Sequence, residues 1–242
     1  MPDPGLNKEL QNISQDFTLN IENIYKDNLV SVILYGSAAS GEFINKHSNL
    51  NVLVVLKNAD LDNLARASGL INKRRFRLIH PLFLSESYIR SSNDVFPIEF
   101  LDMKENYTVL SGSDALKNIT IDTRNLRFQC EQELKAKIIA LKQCYLRNSE
   151  SAGQLSASLL KAFTSITHIL RNVLRIKGRQ PPYLKQDILK DLEAEFQIDK
   201  AAWEKILAAK NKQVKLNAKE AKRLFVNFVK DVEEITNFID TF

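Results

Sequence analysis

The stretch Leu34-Tyr35-Gly36-Ser37-Ala38-Ala39-Ser40-Gly41-Glu42-Phe43-Ile44-Asn45-Lys46-His47-Ser48-Asn49-Leu50-Asn51-Val52-Leu53-Val54-Val55-Leu56 decides the fold. It begins at the end of a β-rich run, Val30 to Tyr35, that stops at Gly36-Ser37. A short helical turn follows. Eleven residues after Ser37 the chain reads Ser48-Asn49-Leu50-Asn51 and enters a second run through Leu56. That run is almost continuously apolar, as expected of a strand covered on both faces.

Working outward, residues 6–27 carry Leu6, Leu10, Ile13, Phe17, Ile21 and Ile24 at spacings of three and four, which predicts a helix. Beyond Leu56 the pattern predicts a helix over 60–72, strands over Phe76–Leu84 and Phe96–Leu101, and a closing turn over Tyr107–Leu116 around Ser111-Gly112-Ser113. Pro81 is expected to interrupt the first of these strands, and Pro97 to sit at a strand start, edge or bulge. From residue 123 helical signals dominate. Leu126, Cys130, Leu134, Ile138, Leu141 and Tyr145 form one stripe. Leu155, Leu159, Phe163, Ile166, Leu170 and Val173 form a second, and Leu224, Phe228, Val232, Ile235 and Ile239 a third. The second stripe ends at Lys177-Gly178, a C-cap pattern, and Pro181-Pro182 bars continuation. Shorter helices are expected over 184–195 and 200–210. The fold class is therefore α+β. A helix in 1–27 packs on a mixed-sheet domain spanning 28–122, and an all-α helical bundle follows over 123–242.

Composition agrees. The 242 residues are 44% hydrophobic and 26% charged, with 7 Gly and 6 Pro, which excludes a disordered or fibrous chain. Charge divides where the hydrophobic period changes: residues 1–122 hold 12 Lys and Arg against 15 Asp and Glu, residues 123–242 hold 22 against 14. The basic half reads first as a solvated helical surface and second as an attraction for phosphate-bearing partners. No apolar stretch approaches the roughly 20 residues that span a bilayer, and the N-terminal MPDPGLNKEL lacks the pattern of a signal peptide. The expectation is a cytoplasmic protein with no membrane segment. Cys130 and Cys144 lie in one predicted helix, roughly 21 Å apart at 1.5 Å per residue, too far for a disulfide.

The Gly-Ser turn, its distance from the Asn-x-Asn pair and the two strands around it resemble the signature of the polymerase-beta-type nucleotidyltransferase superfamily. There the second strand opens on Asp-x-Asp. Phe96-Pro97-Ile98-Glu99-Phe100-Leu101-Asp102-Met103, followed by a basic helical half with Leu170-Arg171-Asn172-Val173-Leu174-Arg175-Ile176-Lys177-Gly178 and Pro181-Pro182, looks like two-domain bacterial members of that superfamily. The resemblance implies a nucleotidyltransferase-like mixed sheet followed by a helical domain. It implies that Gly36 lets the backbone approach a triphosphate while Ser37 and nearby amides bind phosphate oxygens. It also implies that the two strand carboxylates, with a third acidic residue on a neighbouring strand, hold two Mg2+ ions for in-line attack on the α-phosphorus.

This chain departs from that pattern at Asn49 and Asn51. Each missing charge removes on the order of ten kcal/mol of gross attraction for a dication at contact, before hydration is counted. Mg2+ is ordinarily held through carboxylates and phosphates. No metal is therefore expected at these positions, and Mg2+ enters only if the protein is active. Glu99, read on a strand face opposite Ile98 and Phe100, is the candidate third carboxylate; Asp102 falls out of phase with it. Glu42 is a substitute ligand to weigh, whereas Asp60 and Asp62 are expected to cap the next helix. The nucleotide-binding candidates are Gly36, Ser37, Asn49, Asn51, Arg171 and Arg175. The two arginines share a predicted helical face with Lys161, Thr164 and His168. His47, His80 and His168 have no metal-like spacing, and His80 reads as a core or edge histidine. Lys73-Arg74-Arg75 with Arg77 forms a basic cluster at a helix end that the helix dipole would favour. No nucleic-acid module is visible.

Three functions stay open. One is a nucleotidyltransferase-fold protein, catalytically degenerate, that binds a nucleotide triphosphate or another phosphate-bearing small molecule, or a partner protein. The second is an active enzyme moving a nucleotidyl group to a small-molecule or protein hydroxyl through an unconventional metal site. The third is a structural partner in a complex or homodimer.

Overall fold

The computed structural model describes residues 7–39 and 49–241, and of Ser37 the backbone alone. The chain divides after Asp122 into two compact units. Glu42, His47 and Ser48 lie outside the described residues.

The first unit opens with α1 (Lys8–Tyr25), whose N-cap Asn7 accepts a hydrogen bond from the Leu10 amide at 2.9 Å. Then come β1 (Leu29–Tyr35), a 3₁₀ turn over Gly36–Ala38, and β2 (Leu50–Leu56). Two short helices, α2 (Leu61–Ala65) and α3 (Ser68–Ile71), and a second 3₁₀ turn over Arg74–Phe76 lead to β3 (Ile79–Ser85). The unit closes with α4 (Glu86–Ser92), α5 (Pro97–Glu105) and β4 (Tyr107–Gly112). Asp60 caps α2 as its sequence position predicts, and the Asn63 amide that it accepts at 2.8 Å holds its carboxyl below the usual range.

The strands form one sheet in the order β3-β2-β1-β4. β1 runs antiparallel to β2 and β4, whereas β2 and β3 are parallel, joined by a crossover through α2 and α3. Strand alternation separates two cores. Val32, Leu34, Leu50, Val52, Val54 and Leu56 pack with Leu10, Phe17, Ile21 and Tyr25 of α1. Ile33, Leu53 and Val55 pack on the other face with Ile89, Phe100 and Met103.

Three sequence expectations are corrected here. Phe96–Leu101 is not a strand: Pro97 begins α5, where its missing N–H has no helical partner to lose, and Pro97, Phe100 and Met103 are buried three residues apart. The predicted turn at Tyr107–Leu116 contains β4, since pairing with β1 overrides the local Ser-Gly-Ser signal. Pro81 does not interrupt β3, because β3 lies at the sheet edge, where proline is tolerated.

The second unit is helical throughout: α6 (Thr123–Asn148), α7 (Ala152–Ile176), α8 (Lys185–Glu195), α9 (Lys200–Lys210) and α10 (Ala218–Asp240). Its core holds Phe163, Trp203 and Phe228, with the Trp203 and Phe228 ring centroids 4.7 Å apart. The Trp203 indole N–H donates to Asp231 Oδ2 at 2.7 Å, and burial raises the Asp231 carboxyl above its ordinary range. Gly178 ends α7 at φ +76°. The Gly178 and Arg179 amides donate to the Arg175 and Leu174 carbonyls at 2.9 and 3.0 Å, the pair of bonds that closes a Schellman cap. No described helix is long and apolar enough to cross a membrane.

Gly112 takes φ +80°, and a Cβ there would meet the Val30 carbonyl oxygen at 2.2 Å. Gly112→Ala is expected to cost about 2–4 kcal/mol. Gly153→Ala, at an open position in the first turn of α7, is expected to stabilise by about 0.5 kcal/mol. Urea unfolding of both variants checks the contrast.

Candidate functional site

The pairing register lines up one rung across the sheet. Tyr107 of β4 faces Tyr35 of β1, Tyr35 faces Asn51 of β2, and Asn51 faces His80 of β3. Tyr35 and Tyr107 pack against the core that contains Leu53, Val55 and Phe100, which fixes the rung on the α5 side of the sheet. Asn49, two residues before Asn51, projects to the same side, and its amide nitrogen lies 3.5 Å from His80 Nδ1. Asn49 and His80 are exposed; Asn51, Tyr35 and Tyr107 are half-buried.

Gly36 completes the end of this rung. It takes φ +77°, which favours glycine, and a Cβ on it would stand 3.3 Å from the Asn51 amide nitrogen. Its N–H donates to the Asn106 carbonyl at 3.0 Å, and its carbonyl accepts from the Ala39 amide at 2.9 Å. The backbone thus turns against the Asn51 side chain at the point where β1 and β2 leave the sheet.

Asn49, Asn51 and Gly36 therefore converge. Glu99 does not stand where the sequence reading put it. It sits in the first turn of α5 with its side chain exposed. The residue that bonds the Gly36 N–H is Asn106, in extended backbone just past the end of α5. Asp102 is likewise helical, so it shares a face with Glu99 rather than falling out of phase. On β1 the residue beside Asn51 is Tyr35, and on β3 it is His80. Its signal was a polar residue opening an apolar run, and reading it required knowing that β3 pairs with β2.

Arg171 and Arg175 belong to the second unit. Arg171 is 4% exposed. It donates from Nε to the Pro182 carbonyl at 3.0 Å and from Nη2 to the Pro181 carbonyl at 3.3 Å, and its guanidinium stacks 4.0 Å from the Tyr183 ring centroid. It fastens the loop after α7. Arg175 donates to Asn172 Oδ1. The predicted shared basic face is thus partly spent on internal bonds, and Thr164 Oγ1 within it is buried with no hydrogen-bond partner among the described residues.

A pair of Mg2+ ions does not fit the donor set of the rung. Mg2+ takes hard, anionic oxygens in octahedral array; Asn49, Asn51 and His80 offer neutral amides and an imidazole. Burial raises the Tyr35 hydroxyl above its ordinary range, and burial with the Tyr107 hydroxyl's 3.0 Å hydrogen bond to Asp114 Oδ2 raises that of Tyr107. The two tyrosines add no charge near neutrality.

No protein-family model matches the chain, and no curated protein matches it. Among solved structures it is similar to spectinomycin adenyltransferase AAD(9) from Enterococcus faecialis, crystallised with ATP and spectinomycin. The likeness covers 91% of this chain and 98% of that one, with a TM-score of 0.59 and 14% identity. The fold is that of the nucleotidyltransferases. A four-stranded mixed sheet is followed in the chain by a helical part, as the signature around Gly36 implies.

Raised tyrosines define a pH dependence. Their folded forms hold protons that the unfolded chain releases near pH 10, so this contribution to stability is present below that pH and is lost as pH rises. Of the 6 tyrosines, Tyr25, Tyr35 and Tyr107 are shifted upward. Tyr35→Phe is expected to reduce the tyrosinate absorbance that appears above about pH 10, measured by titration of the folded protein.

Proposed function

We propose that this chain is a nucleotidyltransferase-fold protein that binds a nucleotide, or another phosphate-bearing small molecule, without operating a catalytic metal pair. The observation that carries the reading is that amides, Asn49 just before β2 and Asn51 within it, stand with His80 of β3 beside the Gly36 turn, with no carboxylate on either strand at this end among the described residues. Gly36 keeps the backbone approach that a phosphate chain uses, and the amides of Asn49 and Asn51 donate hydrogen bonds where the nucleotidyltransferase signature has acceptors for cations. Ser37 is the hydroxyl proposed for phosphate contact. Arg171 and Arg175 belong to the second unit, where both bond within their own helix and loop, and they carry no part of this reading. Glu99, an exposed carboxylate on a helix, carries no metal role here. The location proposed is the cytoplasm.

The likeness to an adenyltransferase solved with ATP and spectinomycin favours a second reading. In it the chain transfers a nucleotidyl group from a triphosphate to a hydroxyl, with Mg2+ held in an unconventional way.

Calorimetry with a non-hydrolysable ATP analogue and a pyrophosphate-release assay separate the two. The wild-type protein is expected to bind the analogue with an affinity that Mg2+ changes less than about threefold, and to release no pyrophosphate above background. Rebuilding the carboxylates as Asn49→Asp, Asn51→Asp, His80→Glu is expected to tighten Mg2+ binding at least about tenfold. Magnesium-dependent pyrophosphate release by the wild-type protein would establish the second reading.

A further inference from the structure

Arg74, Arg75 and Arg77 lie on and beside the 3₁₀ turn over Arg74–Phe76. Phe76 anchors that turn, its buried ring meeting Phe17 of α1 edge-on at 5.5 Å. Side chains three apart eclipse in a 3₁₀ turn, so Arg74 and Arg77 leave it on one side; the Arg77 amide donates to the Arg74 carbonyl at 3.4 Å. Arg75 is ion-paired to Asp16 of α1. Arg74 and Arg77 have neither hydrogen bond nor ion pair through their side chains among the described residues. Both border a cavity of about 580 Å³ to which α1 contributes Glu9, Asn12 and Ile13, and the chain after the turn contributes Leu78.

The helix dipole gives a poor account of this cluster, because the preceding α3 has four residues and little dipole to complement. Two eclipsed guanidiniums repel each other and leave up to ten N–H donors facing a concavity; a dianion relieves both problems at once. A cavity of this volume matches a small organic ligand. A nucleic-acid strand would instead need an extended basic groove with stacking faces, and here a carboxylate, Glu9, stands in the wall.

We propose that this cavity is a binding site for a small phosphomonoester. Arg74 and Arg77 take the phosphate, Asn12 adds a hydrogen bond, Ile13 and Leu78 cover the carbon body, and Glu9 accepts from a hydroxyl of that body. The site lies on the α1 side of the sheet, whereas the Asn51 rung lies on the α5 side, so it stands or falls separately from the function proposed above.

The test titrates the full chain with ribose 5-phosphate, inorganic phosphate and ribose, by calorimetry and by NMR of the arginine Nε–H groups. Ribose 5-phosphate is expected to bind more tightly than inorganic phosphate, ribose not at all, and the Arg74 and Arg77 signals are expected to move. Arg74→Gln with Arg77→Gln is expected to weaken ribose 5-phosphate at least about tenfold. Glu9→Gln is expected to alter the affinity for ribose 5-phosphate and leave that for inorganic phosphate unchanged. Absence of saturation at millimolar ligand, equal binding of acetate, or signals that move only elsewhere would overturn the proposal. The wild-type NMR result decides the matter even if the double variant is unstable.

Discussion

Strand β2 is hydrogen-bonded along both edges and covered on both faces, and the first unit is organised by that double confinement. Every side chain from Val52 to Leu56 is buried, with Val52 and Val54 on the α1 side and Leu53 and Val55 on the α5 side. A slip of one residue would exchange the two sets and turn Asn51 toward α1. Apolar side chains thus dictate where the polar ones stand. The same register sets Tyr35 opposite Asn51, which brings the Gly36 turn against the Asn51 amide. Gly36 tolerates the approach because it has no Cβ and a positive φ. The polar end of the sheet is in this sense a consequence of its apolar middle.

What could be read from sequence follows the range of the interactions. The helices of the second unit are legible because their information is local: apolar stripes of period 3.6, and a glycine followed by prolines at the end of α7. Segment 96–101 was misread because Phe96, Ile98 and Phe100 alternate as in a strand, while Pro97, Phe100 and Met103 also satisfy a helix. Pro97 at the first helical position settles the ambiguity. β4 was invisible because its partner, β1, is 72 residues away at the Tyr35–Tyr107 pair. The site divides in the same way. Gly36, Asn49 and Asn51 belong to one local pattern, so their meeting could be anticipated. The neighbour of Asn51 on β3 depends on sheet order, which local pattern does not encode, so the pattern alone reads Glu99 onto a strand and does not bring His80 beside Asn51.

The arginines carry the same lesson about charge. Arg171 was grouped with surface residues by its spacing, yet it is buried. Its desolvation is offset by hydrogen bonds to the Pro181 and Pro182 carbonyls and by the Tyr183 face. Arg74 and Arg77 are chemically identical to it and remain in solvent, unpaired among the described residues. Spacing tells which guanidiniums share a direction; the carbonyls and carboxylates within reach decide whether they bind the fold or something else.

The amides of Asn49 and Asn51 at this end of the sheet have an energetic meaning of their own. Neighbouring strands lie about 4.8 Å apart, and two carboxylates at that distance repel by about 3 kcal/mol at an effective dielectric near 20. A sheet end built of three carboxylates is therefore strained until cations occupy it, and binding of those cations stabilises the folded state by mass action. On the function proposed above, amides at Asn49 and Asn51 remove both halves of that arrangement: the strands close at this end without a cation, a cation gains little by arriving, and a phosphate chain meets amide donors instead of a repelling carboxylate cluster. On the function proposed here, the same substitutions that dismantle the metal clamp make a metal-free phosphate ligand electrostatically acceptable, so lost transfer and retained binding have one physical cause.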